Sequence, residues 1–143
     1  MPQIPLFEAR EDVLADDTRG RITYTPAFVS PPVAEAWFAE LRQAAPWKAE
    51  RRRMYDREVD VPRLTAHYRL DGPVPGAIAG AAREVAAATG VPFNGVGLNL
   101  YRDGRDSVAA HNDHLYELVE GFPIALLSLG ATRRMVIRAK EPP

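Results

Sequence analysis

The chain contains no cysteine, which excludes a disulfide framework, thiolate zinc sites and a cysteine nucleophile; any metal must be held by histidine, aspartate or glutamate. Histidine is itself scarce, with His67, His111 and His114 the only three in 143 residues. There is no run of eighteen apolar residues, and Met1-Pro2-Gln3-Ile4-Pro5 is neither basic nor followed by an apolar leader. No membrane association is expected, and a soluble cytoplasmic protein is the default. The formal net charge of -1 provides no global field committing the molecule to nucleic acid or to an anionic surface. Internal repeats and low-complexity tracts are also missing.

What is present reads as one domain over residues 1–143, long enough to bury a core. Residues 8–21 mix acids and arginines without periodicity and read as an exposed segment, after which Ile22-Thr23-Tyr24 alternates as a short strand. Ser30-Pro31 has the form of a helix start, with Val33, Trp37, Phe38, Leu41 and Ala45 at helical spacing before Pro46 closes the run. A second, alanine-rich helix fits 75–89, stopped by Gly90 and suited to close packing against something flat. Strand patterns follow: Val96, Leu98 and Leu100 on one face against Gly97, Asn99 and Tyr101 on the other, an apolar run at 123–129, and alternation over 134–138. Helices preceding a set of strands imply an α+β fold with an antiparallel sheet or barrel.

The chemistry concentrates in Asn99-Leu100-Tyr101-Arg102-Asp103-Gly104-Arg105-Asp106 and His111-Asn112-Asp113. On an extended chain His111 and Asp113 project from one face, and such a pair supplies two ligands of a 2-His-1-carboxylate site; a surface histidine beside a solvated aspartate is the other reading. Asn99 and Tyr101 place an amide and a phenol on one face of a strand, where an anionic co-substrate needs neutral donors, or where an ordinary strand faces water. Residues 47–69 interleave Lys48, Arg51, Arg52, Arg53, Arg57, Arg63 and Arg69 with Trp47, Tyr55 and Tyr68, a local positive excess suited to phosphate contacts and base stacking. A solvated, salt-bridged hairpin has the same composition.

Four ordered segments carry a resemblance: Asn99-Leu100-Tyr101-Arg102-Asp103-Gly104, His111-x-Asp113, the run from Pro123 through Gly130-Ala131-Thr132-Arg133, and Pro62-Arg63-Leu64-Thr65-Ala66-His67-Tyr68. Together they resemble the AlkB family of Fe(II)- and 2-oxoglutarate-dependent dioxygenases that repair alkylated nucleic acid bases. The resemblance implies an incomplete double-stranded β-helix, or jelly roll, with two N-terminal helices packed on the sheet. It implies Fe(II) on His111 and Asp113, with 2-oxoglutarate held by Asn99 and Tyr101. Alkylated DNA, or RNA, would be the partner. Tyr55, Asp56 and Arg57 match the tip of a nucleotide-recognition hairpin spanning 47–70, with Tyr55 as an aromatic wedge for a flipped base. Arg63 matches a DNA-contacting arginine, and Tyr68 lies where the base pocket begins. The implied reaction is oxidative dealkylation of bases such as 1-methyladenine or 3-methylcytosine.

Two departures qualify that pattern. The family's second metal-binding histidine and its distal arginines have no counterpart before Pro143, so the expectation is the N-terminal part of a longer enzyme, inactive alone. His114 stands where several relatives carry an acid beside the substrate base, which leaves base preference open. A protein or small-molecule hydroxylase on the same scaffold, or a non-catalytic nucleic-acid-binding remnant, are the alternative readings. Oligomeric state is not encoded in these patterns.

Overall fold

Local hydrogen bonding shapes the first element. The Asp17 carboxylate accepts the Arg19 backbone N–H at 2.8 Å and its guanidinium at 2.6 Å, and this turn joins β1 (Asp12–Asp17) to β2 (Gly20–Tyr24) as an antiparallel hairpin. The stretch 8–21, expected as an exposed segment without periodicity, is mostly exposed along β1 and yet forms a paired strand. Turn chemistry and cross-strand pairing create it rather than apolar alternation, so it leaves no periodic signal. The structure, a computed structural model, describes residues 10–54, 56–109, 111, 113 and 118–140.

Helix α1 (Pro31–Ala44) starts after Ser30 with proline in its first turn, although the Ser30 hydroxyl makes no capping bond. Helix α2 (Gly76–Thr89) ends in Gly90 at φ 71°, the left-handed conformation that glycine adopts without a Cβ penalty. The two helices pack on each other. Glu40 Oε2 of α1 accepts the Ala77 N–H at 3.1 Å, near the start of α2. A Cβ on Gly80 would lie 2.8 Å from Trp37 Cζ2, so the flat partner of the alanine-rich helix is the α1 indole. Ala45, Ala77, Ile78 and Val91 are the buried apolar side chains among the described residues, a smaller core than the chain length suggests.

Strands β3 (Lys48–Met54), β4 (Arg57–Arg69) and β5 (Gly95–Leu100) form an antiparallel sheet in that order. The architecture is thus α+β with antiparallel sheets. Between the pairs Ala49↔Leu64 and Arg51↔Asp60 the register slips, because one residue of β3 (Glu50) faces three of β4 (Val61, Pro62, Arg63). Proline cannot donate to a ladder, and it sits inside this bulge.

Residues 123–129 and 134–138, expected as strands, belong to no strand among the described residues. A strand is a paired state, and alternation alone cannot hold one without a neighbouring backbone. Ile124 and Leu126 are 61% and 69% exposed, so the apolar run finds no cover here. One point of this segment does pack: a Cβ at Gly130, whose φ is 82°, would meet the Phe38 ring of α1 at 2.7 Å.

Candidate active site

The β4–β5 register decides which side chains share a face. Thr65 pairs with Asn99 and His67 with Gly97, so Thr65, His67 and Asn99 stand on one side of the sheet, and Tyr101 has the same parity just past the end of β5. Asn99 is exposed and Tyr101 half-buried, while the intervening Leu98 and Leu100 point to the opposite side. Tyr68 pairs with Val96 and therefore belongs to the leucine face. Strand alternation thus places Tyr68 and Asn99 on opposite sides of the sheet. His67, one residue earlier, has the parity that Tyr68 lacks. The sequence pattern missed it because the face of a β4 residue becomes defined only once its partner in β5 is known.

The segment after β5 turns back on itself around Asp106, which is only 7% exposed. Its carboxylate accepts the Arg102 backbone N–H and Nε–H, each at 2.8 Å, and a further guanidinium N–H at 3.1 Å. Those bonds to Arg102 hold the Asp106 carboxyl below the usual carboxylate range, with the charges of Arg102 and Arg133 assisting against the cost of burial. Asp103 is lowered in the same way, chiefly by hydrogen bonds from Arg105. Arg133 then closes the turn from thirty residues away, donating to the Asp106 carbonyl at 2.6 Å and the Asp103 carbonyl at 3.2 Å. Its Cζ lies 4.2 Å from the centre of the Tyr101 ring. Ser107 N–H donates to the Pro62 carbonyl at 2.8 Å, fastening the end of this loop to the β4 bulge.

His111 and Asp113 lie outside any strand, yet their side chains meet, with His111 Nε2 3.7 Å from Asp113 Oδ1. His111 Nδ1 is 2.9 Å from the Ala109 carbonyl, which can only accept, so Nδ1 carries the hydrogen. In the neutral ring that leaves the Nε2 lone pair facing the carboxylate. Two donors each about 2.1 Å from one cation in adjacent octahedral positions are about 3.0 Å apart, so this pair is within about 1 Å of the separation that two positions of a metal require. Both side chains are about half exposed, open to an entering ion. Among the described residues no group of three histidine, aspartate or glutamate side chains gathers around a common point.

The arginine-rich stretch is a β3–β4 hairpin in which Met54 pairs with Arg57, placing Asp56 and Arg57 at its tip; Tyr55 lies outside the described residues, as does His114. Arg57 and Asp56 are exposed. Arg51 approaches Glu58 at 3.6 Å across the hairpin, a solvent-exposed pair that contributes little. Arg63, in the bulge, is half-buried, and its Nε–H is buried without a hydrogen-bond partner among the described residues. Among the described residues no helix is long and apolar enough to cross a membrane.

No family model matches the chain. The sequence is 33% identical over 138 residues to the alpha-ketoglutarate-dependent dioxygenase alkB homolog 3 of Bos taurus and of Homo sapiens, which covers 86% of this chain and 47% of each relative. A 57-residue stretch is 46% identical to the DNA oxidative demethylase ALKBH2 of Homo sapiens, covering 40% of this chain and 22% of that protein. The chain spans about half the length of the homolog 3 proteins it matches.

Proposed function

The chain belongs to the AlkB-like 2-oxoglutarate-dependent dioxygenases, and from that premise we propose that it serves oxidative dealkylation of N-alkylated bases in DNA, using Fe(II), 2-oxoglutarate and O₂. The observation that carries the reading to these residues is the His111–Asp113 pair, whose Nε2 and Oδ1 face each other with Nδ1 already committed to a backbone carbonyl. His111 and Asp113 would hold the metal. The chemistry supplied there by bound iron is hydroxylation of the alkyl carbon on nitrogen, with O₂ as oxidant and 2-oxoglutarate as the reductant that becomes succinate and CO₂.

The chain's own groups position and select. The Ala109 carbonyl fixes the His111 tautomer and ring orientation, which keeps Nε2 available as a donor. Asn99 and Tyr101 offer neutral hydrogen-bond donors to the co-substrate from one face of β5 and its continuation, with Arg102–Asp106 bracing the turn beyond. The exposed hairpin tip with Arg57 meets the nucleic acid and Arg63 supports a backbone contact from the bulge, while Tyr55, outside the described residues, is the aromatic wedge that the family resemblance implies. In this reading the three-stranded sheet is part of a double-stranded β-helix. A nucleic-acid-binding role without chemistry would use the hairpin but leave the His111–Asp113 geometry idle.

With two metal donors converging among the described residues, the isolated 143-residue chain is expected to hold Fe(II) weakly and give no turnover. The protein as encoded in its natural gene is expected to release formaldehyde from an oligonucleotide carrying 1-methyladenine or 3-methylcytosine, only with 2-oxoglutarate present. His111→Ala should abolish that release. Intact lesions alongside 2-oxoglutarate-dependent hydroxylation of a peptide or small molecule would replace this reading with another acceptor class; robust turnover by the isolated chain would refute the incomplete-site expectation.

A further inference from the structure

Tyr101 follows the last residue of β5, one position beyond the Leu64↔Leu100 pair that ends the β4–β5 ladder among the described residues. A phenol that must meet a ligand at a set angle needs its ring held, because rotation about χ1 and χ2 sweeps the hydroxyl through several ångströms. The restraint comes from a residue distant in sequence. Arg133 lies over the Tyr101 ring at 4.2 Å, and its two terminal nitrogens are fixed to the carbonyls of Asp103 and Asp106 at 3.2 and 2.6 Å. A planar guanidinium anchored at two points has a defined plane, and an aromatic ring stacked on it acquires one too. The anchors are themselves braced, since the Asp106 carboxylate binds Arg102 three times and Ser107 is tied to Pro62.

We propose that Arg133 is a positioning residue for 2-oxoglutarate binding: it stacks on Tyr101 and, through the Asp103 and Asp106 carbonyls, sets the direction of the Tyr101 hydroxyl. This rests on the reading of Tyr101 as a co-substrate donor. Arg133 acts through the ring and does not itself contact the co-substrate. The consequence is a coupling between two residues that are thirty-two positions apart, one at a strand end and one in the segment after Gly130.

The test is a double-mutant cycle read by calorimetric binding of 2-oxoglutarate to the natural gene product, with Fe(II) and without O₂. Arg133→Met is expected to weaken binding about five- to tenfold, the combined size of one stacking contact and one neutral hydrogen bond. Tyr101→Phe, which keeps the ring and removes the hydroxyl, should weaken it similarly, and Arg133→Met placed on Tyr101→Phe should add almost nothing. Arg133→Lys keeps a cation over the ring but cannot span both carbonyls, so it should recover little; it also serves as the second variant should Arg133→Met not fold. Multiplicative losses in the double variant, or full recovery with lysine, would overturn the positioning role in favour of a direct or purely charge-based effect. Native affinity in Tyr101→Phe alone would instead overturn the assignment of Tyr101, and the inference with it.

Discussion

Asp106 shows how a single residue can organise the turn that follows β5. Its carboxylate receives three hydrogen bonds from Arg102, and its carbonyl receives Arg133. Because its pKa is lowered from the ordinary 3.8, the ionised form stabilises the folded state above that value and the contribution is lost as pH falls through the lower folded value. Asp106→Asn should therefore lower the unfolding temperature at pH 7, and the gap to the native protein should shrink as the pH drops below about 4. Thermal melts at pH 7 and pH 3 check this; an unchanged gap would show that ionisation contributes nothing. At this scale the sequence was partly legible. The shared parity of Asn99 and Tyr101 could be read because alternation is local, and the approach of His111 to Asp113 because they are two residues apart. Arg133 and the parity of His67 could not, since each depends on a neighbour supplied by folding from another part of the chain.

Among the elements, both helices were legible from their punctuation: proline at the start of α1, and glycine in the left-handed conformation at the end of α2. The hairpin of β3 and β4 was expected through the family resemblance, since the charges of 47–69 mark the stretch without giving its fold, whereas β1 was hidden because an Asp17–Arg19 turn makes it and apolar spacing does not. The runs at 123–129 and 134–138 have strand composition but no strand partner among the described residues, and composition cannot report partners. The function proposed for the hairpin predicts a specific electrostatic signature. Replacing Arg57 at the exposed tip with alanine removes one phosphate contact, so affinity should fall for all sequences alike and the slope of log affinity against log salt should decrease by about 1. Fluorescence anisotropy of a labelled oligonucleotide across a salt series measures both quantities. An unchanged slope would place the tip away from the backbone of the nucleic acid.

Across the molecule, the α+β class was expected from helices preceding the strands, yet β1 and β2 come before α1 and β3 and β4 lie between the helices, so the class holds through antiparallel pairing and not through that order; the extent of burial was not legible either. Large apolar side chains at Phe122, Ile124, Leu126, Met135, Val136 and Ile137 stand more than half exposed, and the buried apolar set among the described residues is correspondingly small. The molecule is held as a helix pair, a hairpin and a three-stranded sheet, with Phe38 against Gly130 and Arg133 against Tyr101 as long-range ties to the later segment. The β4 bulge adds a consequence on the axis of time. Leu64–Arg69 are backed by β5, whereas among the described residues Arg57–Asp60 pair with β3 alone, and Val61, Pro62 and Arg63 interrupt the ladder between. One continuous strand should thus behave as two opening units. In amide hydrogen exchange the inner half should remain protected long after the outer half has exchanged, with the boundary at Pro62; uniform protection along β4 would show that the bulge transmits cooperativity instead of breaking it.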